Sequence, residues 1–103
     1  MLDTCWKPLN FATINIACMY QLPTLLAAWL PDGVRQGREW VALNPTRHDR
    51  SKGSFRINLD NGRWADFATH DAGGDPISLF AYLNGLGQSQ AANTLRKDWG
   101  LGL

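Results

Sequence analysis

Six residues in the middle of the chain have the types and spacing to engage a polyanion. Arg47, Arg50 and Lys52 lie in a polar stretch, and Arg56, Arg63 and Trp64 follow on strand-like segments. Bases can track a phosphate backbone while an aromatic ring stacks on an unpaired base, so the mixture points to single-stranded nucleic acid. Charge is unevenly placed: from Arg35 to Arg63 seven bases stand against three acids, although the formal net charge is only +1. Such segregation can give a nearly neutral protein one positive face. The plainer reading is a solvated surface, with Trp64 and Trp40 forming a second small core.

Other chemistry is less well supplied. Asp60, Asp66, Asp71 and Asp75 form no D-x-D metal motif. Asp60 reads as turn chemistry, Asp66 as a partner of Arg56 and Asp75 as a helix cap, leaving only Asp71 unassigned; no catalytic residue is expected. His48 and His70 lack the thiol or carboxylate cluster that a metal site needs, so no metal or cofactor is expected. Gly73-Gly74 precedes a helix and could cradle a phosphate, but Asp75 would repel it and Pro76 removes a donor. Cys5 and Cys18 have no C-x-x-C spacing and read as free thiols in a reducing cytoplasm.

The elements that must position these residues centre on 54–85. Phe55, Ile57 and Leu59 alternate with polar residues as in a half-buried strand, and Asp60-Asn61-Gly62 supplies the turn. A two-residue Asn-Gly turn would set Asp66 opposite Ile57 on the apolar face. A three-residue loop instead pairs Ile57 with Ala65 and Phe55 with Phe67. The second is expected, because it buries Phe55, Ile57, Leu59, Ala65 and Phe67 together. Arg56 would then face Asp66, and Trp64 would lie on the outer face, shared with Trp40. Asp75-Pro76 starts a helix whose apolar stripe is Ile77, Leu79, Phe80 and Leu83, and Gly85 ends it.

A helix is expected over 22–30, a strand over 38–43, a polar loop over 44–53 and a last helix capped by Ser89, with Ala91, Ala92, Leu95 and Trp99 on its buried face. Arg96 and Lys97 suit that helix's C-terminal end. Residues 1–21 form a separate N-terminal segment, expected to be helical from the spacing of Phe11, Ile14, Ala17 and Cys18. The run is too broken for a signal peptide or a membrane span. With 103 residues, 45% of them apolar, the chain fits one compact unit. The expected architecture is α+β: a three-stranded antiparallel sheet covered by helices.

In order and spacing, N-P-T-R-H at 44–48, G-S-F at 53–55 and F-A-T-H-D-A-G-G-D-P-I at 67–77 resemble the N-terminal zinc-ribbon domain of bacterial and phage primases. G-R-E-W-V-A-L-N-P-T-R with G-R-W-A-D-F-A and G-G-D is more similar to the metal-free version at the front of primase-helicases of phages and other mobile elements. The resemblance covers roughly residues 22–99, within an expected domain of 22–103. It places the four ligand positions on Asn44, Arg47 or His48, Phe67 and His70, with one extra residue in the first loop. Asn and Phe cannot complete a tetrahedral zinc site, so a ribbon without zinc is implied.

The resemblance further implies a non-catalytic, template-binding role in DNA replication, with single-stranded DNA as ligand and a primase or helicase domain as a potential partner. The rival is a protein-interaction module or inhibitor from a mobile element, such as an anti-defence or anti-CRISPR protein, acting through residues 9–30.

Overall fold

The computed structural model describes residues 9–102; Cys5 and the remainder of 1–8 lie outside the described residues. The order of elements is α1 (Phe11–Tyr20), α2 (Leu22–Trp29), β1 (Val34–Gln36), β2 (Glu39–Ala42), β3 (Phe55–Asn58), β4 (Trp64–Asp66), β5 (Asp71–Gly73), α3 (Pro76–Asn84) and α4 (Gln88–Lys97). The fold is α+β, but its antiparallel sheet has five strands in the order β1-β2-β3-β4-β5 rather than three. The two extra strands are the edges. Val34–Gln36 is exposed throughout, and Asp71–Gly73 contains no large apolar residue, so neither carries the alternation that marks a half-buried strand.

The central hairpin departs from the expected register. Phe55 pairs with Asp66, Arg56 with Ala65 and Ile57 with Trp64, and Asn58 N–H donates to the Arg63 carbonyl across a four-residue loop. Side chains directly opposite share a face, so Trp64 and Asp66 turn inward with Phe55 and Ile57. Ala65 and Phe67 turn outward. Trp40 pairs with Ile57 and therefore shares a face with Trp64, but it is the inner one.

Two apolar clusters hold the layers together. Leu22, Leu26 and Leu30 from the α2 region and Leu79 from α3 cover Ala42, Phe55, Ile57 and Trp64 on the inner face of the sheet. Behind this, Ile14 and Cys18 of α1 join Leu25, Ile77, Phe80, Ala81, Ala91, Ala92, Leu95 and Leu101. Burial pushes the Cys18 thiol up to about 12, assisted by the charge of Asp75, so it is a protonated core residue at neutral pH. Among the described residues no single helix is long and apolar enough to cross a membrane; α1 and α2 meet that test only as a pair bent by 89°.

α3 begins as its sequence requires. Asp75 Oδ1 accepts from the Ser78 N–H at 2.8 Å, Ser78 Oγ accepts from the Asp75 N–H at 3.3 Å, and Pro76 occupies the first turn. Gly85 closes the helix in the left-handed region. Asp75→Ala is expected to cost about 0.5–2 kcal/mol through loss of the cap, read as a lower melting temperature. An unchanged melting temperature would remove capping as the role of Asp75. α4 starts two residues earlier than expected: Gly87 is the cap residue, its N–H donating to Gln90 Oε1 at 3.0 Å, and Ser89 lies inside the first turn. Trp99 follows the helix and is exposed, meeting Trp29 edge-on at 6.0 Å.

Candidate functional site

The residues singled out from the sequence divide between the two faces of the sheet. Arg47 and Trp64 belong to the inside. Asp66 is fully buried, and Arg47 grips it with two bonds, Nε to Oδ2 at 2.8 Å and Nη2 to Oδ1 at 3.2 Å. Asn44 Nδ2 donates to Asp66 Oδ2 at 2.8 Å, and the Ala68 N–H donates to Oδ1 at 2.9 Å. The Arg47 hydrogen bond, reinforced by those from Asn44 and Ala68, holds the Asp66 carboxyl well below the usual carboxylate range despite its burial. The same Asn44 Nδ2 reaches Tyr82 Oη at 2.9 Å, and Tyr82 in turn donates to Asp71 Oδ2 at 2.8 Å. Asp66 therefore pairs with Arg47 and not with Arg56.

Trp64 is 5% exposed. Its ring lies 4.6 Å from that of Tyr82 and 6.2 Å from that of Phe55, and its Nε1 donates to Ser78 Oγ at 2.9 Å. Gly73 is needed for this approach, because a Cβ there would stand 2.4 Å from Trp64 Nε1. The first glycine of the pair thus makes room for an indole. Trp64 is a core residue, unavailable for stacking on a base.

The outer face presents a different surface. Register sets Val34, Val41, Arg56, Ala65 and Ala72 in one row across all five strands. Over the β3–β5 end of this row lies an open trough of about 550 Å³, lined by Ala65 and Ala72 together with Arg56, Asn58, Arg63 and Phe67. Phe67, expected in the core, is 65% exposed here. It starts the tight turn between β4 and β5, in which the His70 N–H donates to the Asp66 carbonyl at 2.8 Å and His70 takes a left-handed conformation (φ 69°).

Arg56 is anchored twice on the trough's side. Its Nη1 meets Glu39 Oε1 at 2.9 Å, and its Nε donates to the Gly53 carbonyl at 2.8 Å. This second bond ties the end of the 44–53 loop to the sheet, close to exposed Arg50 and Lys52. The side chains of Arg50, Lys52 and Arg63 have no hydrogen bond or ion pair among the described residues, whereas Arg38 meets Asp60 in an exposed pair at 3.4 Å. The trough thus brings Arg56 and Arg63 together, leaves Arg47, Arg50 and Lys52 outside its lining, and meets only the small exposed edge of Trp64.

Sequence reasoning set Asn58 on this face, though opposite Trp64, and missed Phe67 and Asn61 as members of it. The parity of Trp64 with Phe67 would have found the aromatic, since residues three apart along a strand point to opposite faces and only one of them can join Ile57. Among the described residues no three His, Cys, Asp or Glu side chains gather as a metal group, and the acids have structural partners: Asp66 with Arg47, Asp71 with Tyr82, Asp75 with Ser78. No protein-family model matches the chain, and no curated protein is significantly similar to it.

Proposed function

We propose that the chain is a non-catalytic, cytoplasmic nucleic-acid-binding module that lays single-stranded DNA across the outer face of its sheet, in the manner of the template-binding domain of mobile-element primases that its motifs resemble. The observation that carries this reading is the exposed ring of Phe67 beside unpaired Arg63, above a floor of alanines. Small floor residues let a flat base or sugar approach the sheet, an exposed aromatic offers a stacking platform, and unpaired guanidinium and ammonium groups attract phosphate.

The inner face supports the metal-free part of the reading. Arg47 and Asn44 bind Asp66, which joins the 44–48 loop to the β4–β5 turn. Those are the two segments that carry the ligand positions in the zinc ribbons this chain resembles. An ion pair with hydrogen bonds fastens the two segments here.

Fluorescence-anisotropy titration of a labelled single-stranded oligonucleotide at several salt concentrations tests the proposal. Phe67→Ala is expected to weaken binding by roughly 1–3 kcal/mol with little change in salt slope. Replacing Arg50, Lys52 and Arg63 by Ala together is expected to weaken binding and flatten the slope. Absence of binding by the folded wild-type protein at low salt would discard the proposal. It would favour the second reading, a protein-interaction module, for which one observation speaks: Ile16 and Tyr20 of α1 are exposed beside a groove of about 510 Å³ that also includes Met19 and Leu59.

A further inference from the structure

One face of α1 is left uncovered. Ile16, Met19 and Tyr20 stand at helical spacing on that face, and Ile16 is 57% and Tyr20 88% exposed. With Leu59 at the hairpin tip and Pro76 at the start of α3 they line the groove of about 510 Å³. Its walls are fixed in place. A Cβ on Gly62 would stand 2.9 Å from both Met19 Sδ and Pro76 Cδ, so the hairpin tip, α1 and α3 are in close contact, and Asn15 Oδ1 accepts from the Ile77 N–H at 3.0 Å. A groove already built needs little ordering when a partner enters it. Its charge is of one sign. No charged residue stands between Lys7 and Asp32, so α1 supplies none, and among the described residues the charged side chains lining the groove are Asp60 and Asp75. Asp75 commits Oδ1 to the Ser78 N–H and keeps Oδ2 without a hydrogen bond among the described residues. Asp60 meets Arg38 at 3.4 Å with both side chains more than half exposed. A pair so exposed is worth little, so a partner's cation can compete for that carboxylate.

We propose that this groove docks a basic amphipathic helix of a partner protein, whose apolar side chains lie along Ile16, Met19 and Tyr20 and whose Lys or Arg side chains reach Asp60 and Asp75. The inference rests on the protein-interaction reading above and gives its partner a chemistry. Groove and trough share only Asn61, so docking and DNA binding are separate properties of the chain. Apolar anchors at helical spacing supply the affinity, and the two acids set the sign of the partner. An acidic helix would meet like charge here.

The test titrates the full chain against fluorescein-labelled helical peptides of about 14 residues and reads fluorescence anisotropy. One peptide carries Leu at i, i+3 and i+4 spacing with Lys elsewhere, a second has Glu in place of Lys, and a third keeps Lys but replaces Leu by Ser. The Leu/Lys peptide is expected to bind about tenfold more tightly than either control. The outer-face bases and the net charge of +1 favour the Leu/Glu peptide, so a preference for Lys reports the groove. Ile16→Ser and Tyr20→Ser, both at exposed positions, are each expected to weaken Leu/Lys binding about five- to tenfold. Asp60→Asn combined with Asp75→Asn removes both charges while an Asn still caps α3, and the Leu/Lys to Leu/Glu ratio is expected to fall toward one. Where that protein fails to fold by circular dichroism, Asp60→Asn alone is expected to lower the ratio. Absence of saturable Leu/Lys binding up to about 100 µM overturns the proposal, and so does equal binding of the Leu/Glu peptide. An affinity unchanged in the folded Ile16→Ser and Tyr20→Ser proteins overturns the groove as the site. Single-stranded oligonucleotide is expected to bind these two variants as it binds wild type, so docking and DNA binding fail separately; a fall in both overturns the groove as a separate site.

Discussion

Asp66→Ala is expected to destabilise the protein by about 3 kcal/mol, enough to lower the melting temperature of a domain this size by roughly 10–20 °C. Removing one member of a buried ion pair strands the other, and here it also strips a bond from Asn44 and one from the Ala68 N–H. The value sits at the low end of the range for buried pairs. Arg47 keeps 27% of its side chain in solvent and retains Asp49 at 3.4 Å, so it is not left wholly uncompensated. Arg47→Met should also be strongly destabilising, because it leaves a fully buried carboxylate with only neutral donors.

The same pair gives stability a pH dependence of definite sign. Asp66 holds a proton less tightly when folded than when unfolded, where its carboxyl titrates near the ordinary value of about 3.9. Its contribution is complete above that range and is lost as the pH falls through it toward the folded value. Melting temperature should therefore drop below about pH 4 more steeply in wild type than in Asp66→Asn. Identical acid limbs would show that Asp66 does not couple protonation to folding.

Trp64→Ala is the second large effect, expected at about 3–5 kcal/mol. The substitution empties a site packed between Phe55 and Tyr82 and leaves Ser78 Oγ, which also belongs to the helix cap, without its indole partner. Trp64→Phe keeps most of the ring volume and loses mainly the Nε1 bond, so it should cost on the order of 1 kcal/mol. These are measured by thermal or urea unfolding. A Trp64→Ala protein that melts like wild type but no longer binds DNA would return the tryptophan to the ligand-binding face and overturn its assignment to the core.

Much of the scaffold was legible because its signals are local. The Asp75-Pro76 start, the Gly85 stop, the Leu22, Leu25 and Leu26 stripe and the Phe55–Ile57 alternation each declare themselves within one or two turns of chain. The hairpin register was not, for a reason of charge. Placing Trp64 inward requires burying Asp66, whereas placing Phe67 inward does not, and an isolated buried carboxylate is prohibitive. Arg47 and Asn44 reverse that balance, but they lie about twenty residues upstream in a loop whose path no periodicity reveals. One misjudged residue then carried the whole face with it, moving Trp64 out, Phe67 in and Arg56 toward the wrong partner. The edge strands were hidden for a simpler reason: three exposed or glycine-containing residues depend on their neighbours for pairing.

Cys18 gives the packing of the N-terminal helix a chemical clock. Its thiol is fully buried between α1 and the other helices, and burial holds it protonated, so both access and reactivity are withheld while α1 stays docked. An alkylating reagent can reach that sulfur only when the helix lifts away. The rate at which it is consumed therefore counts openings of α1 in the native ensemble, separately from loss of the sheet, whose tryptophan Trp64 is buried elsewhere against α3.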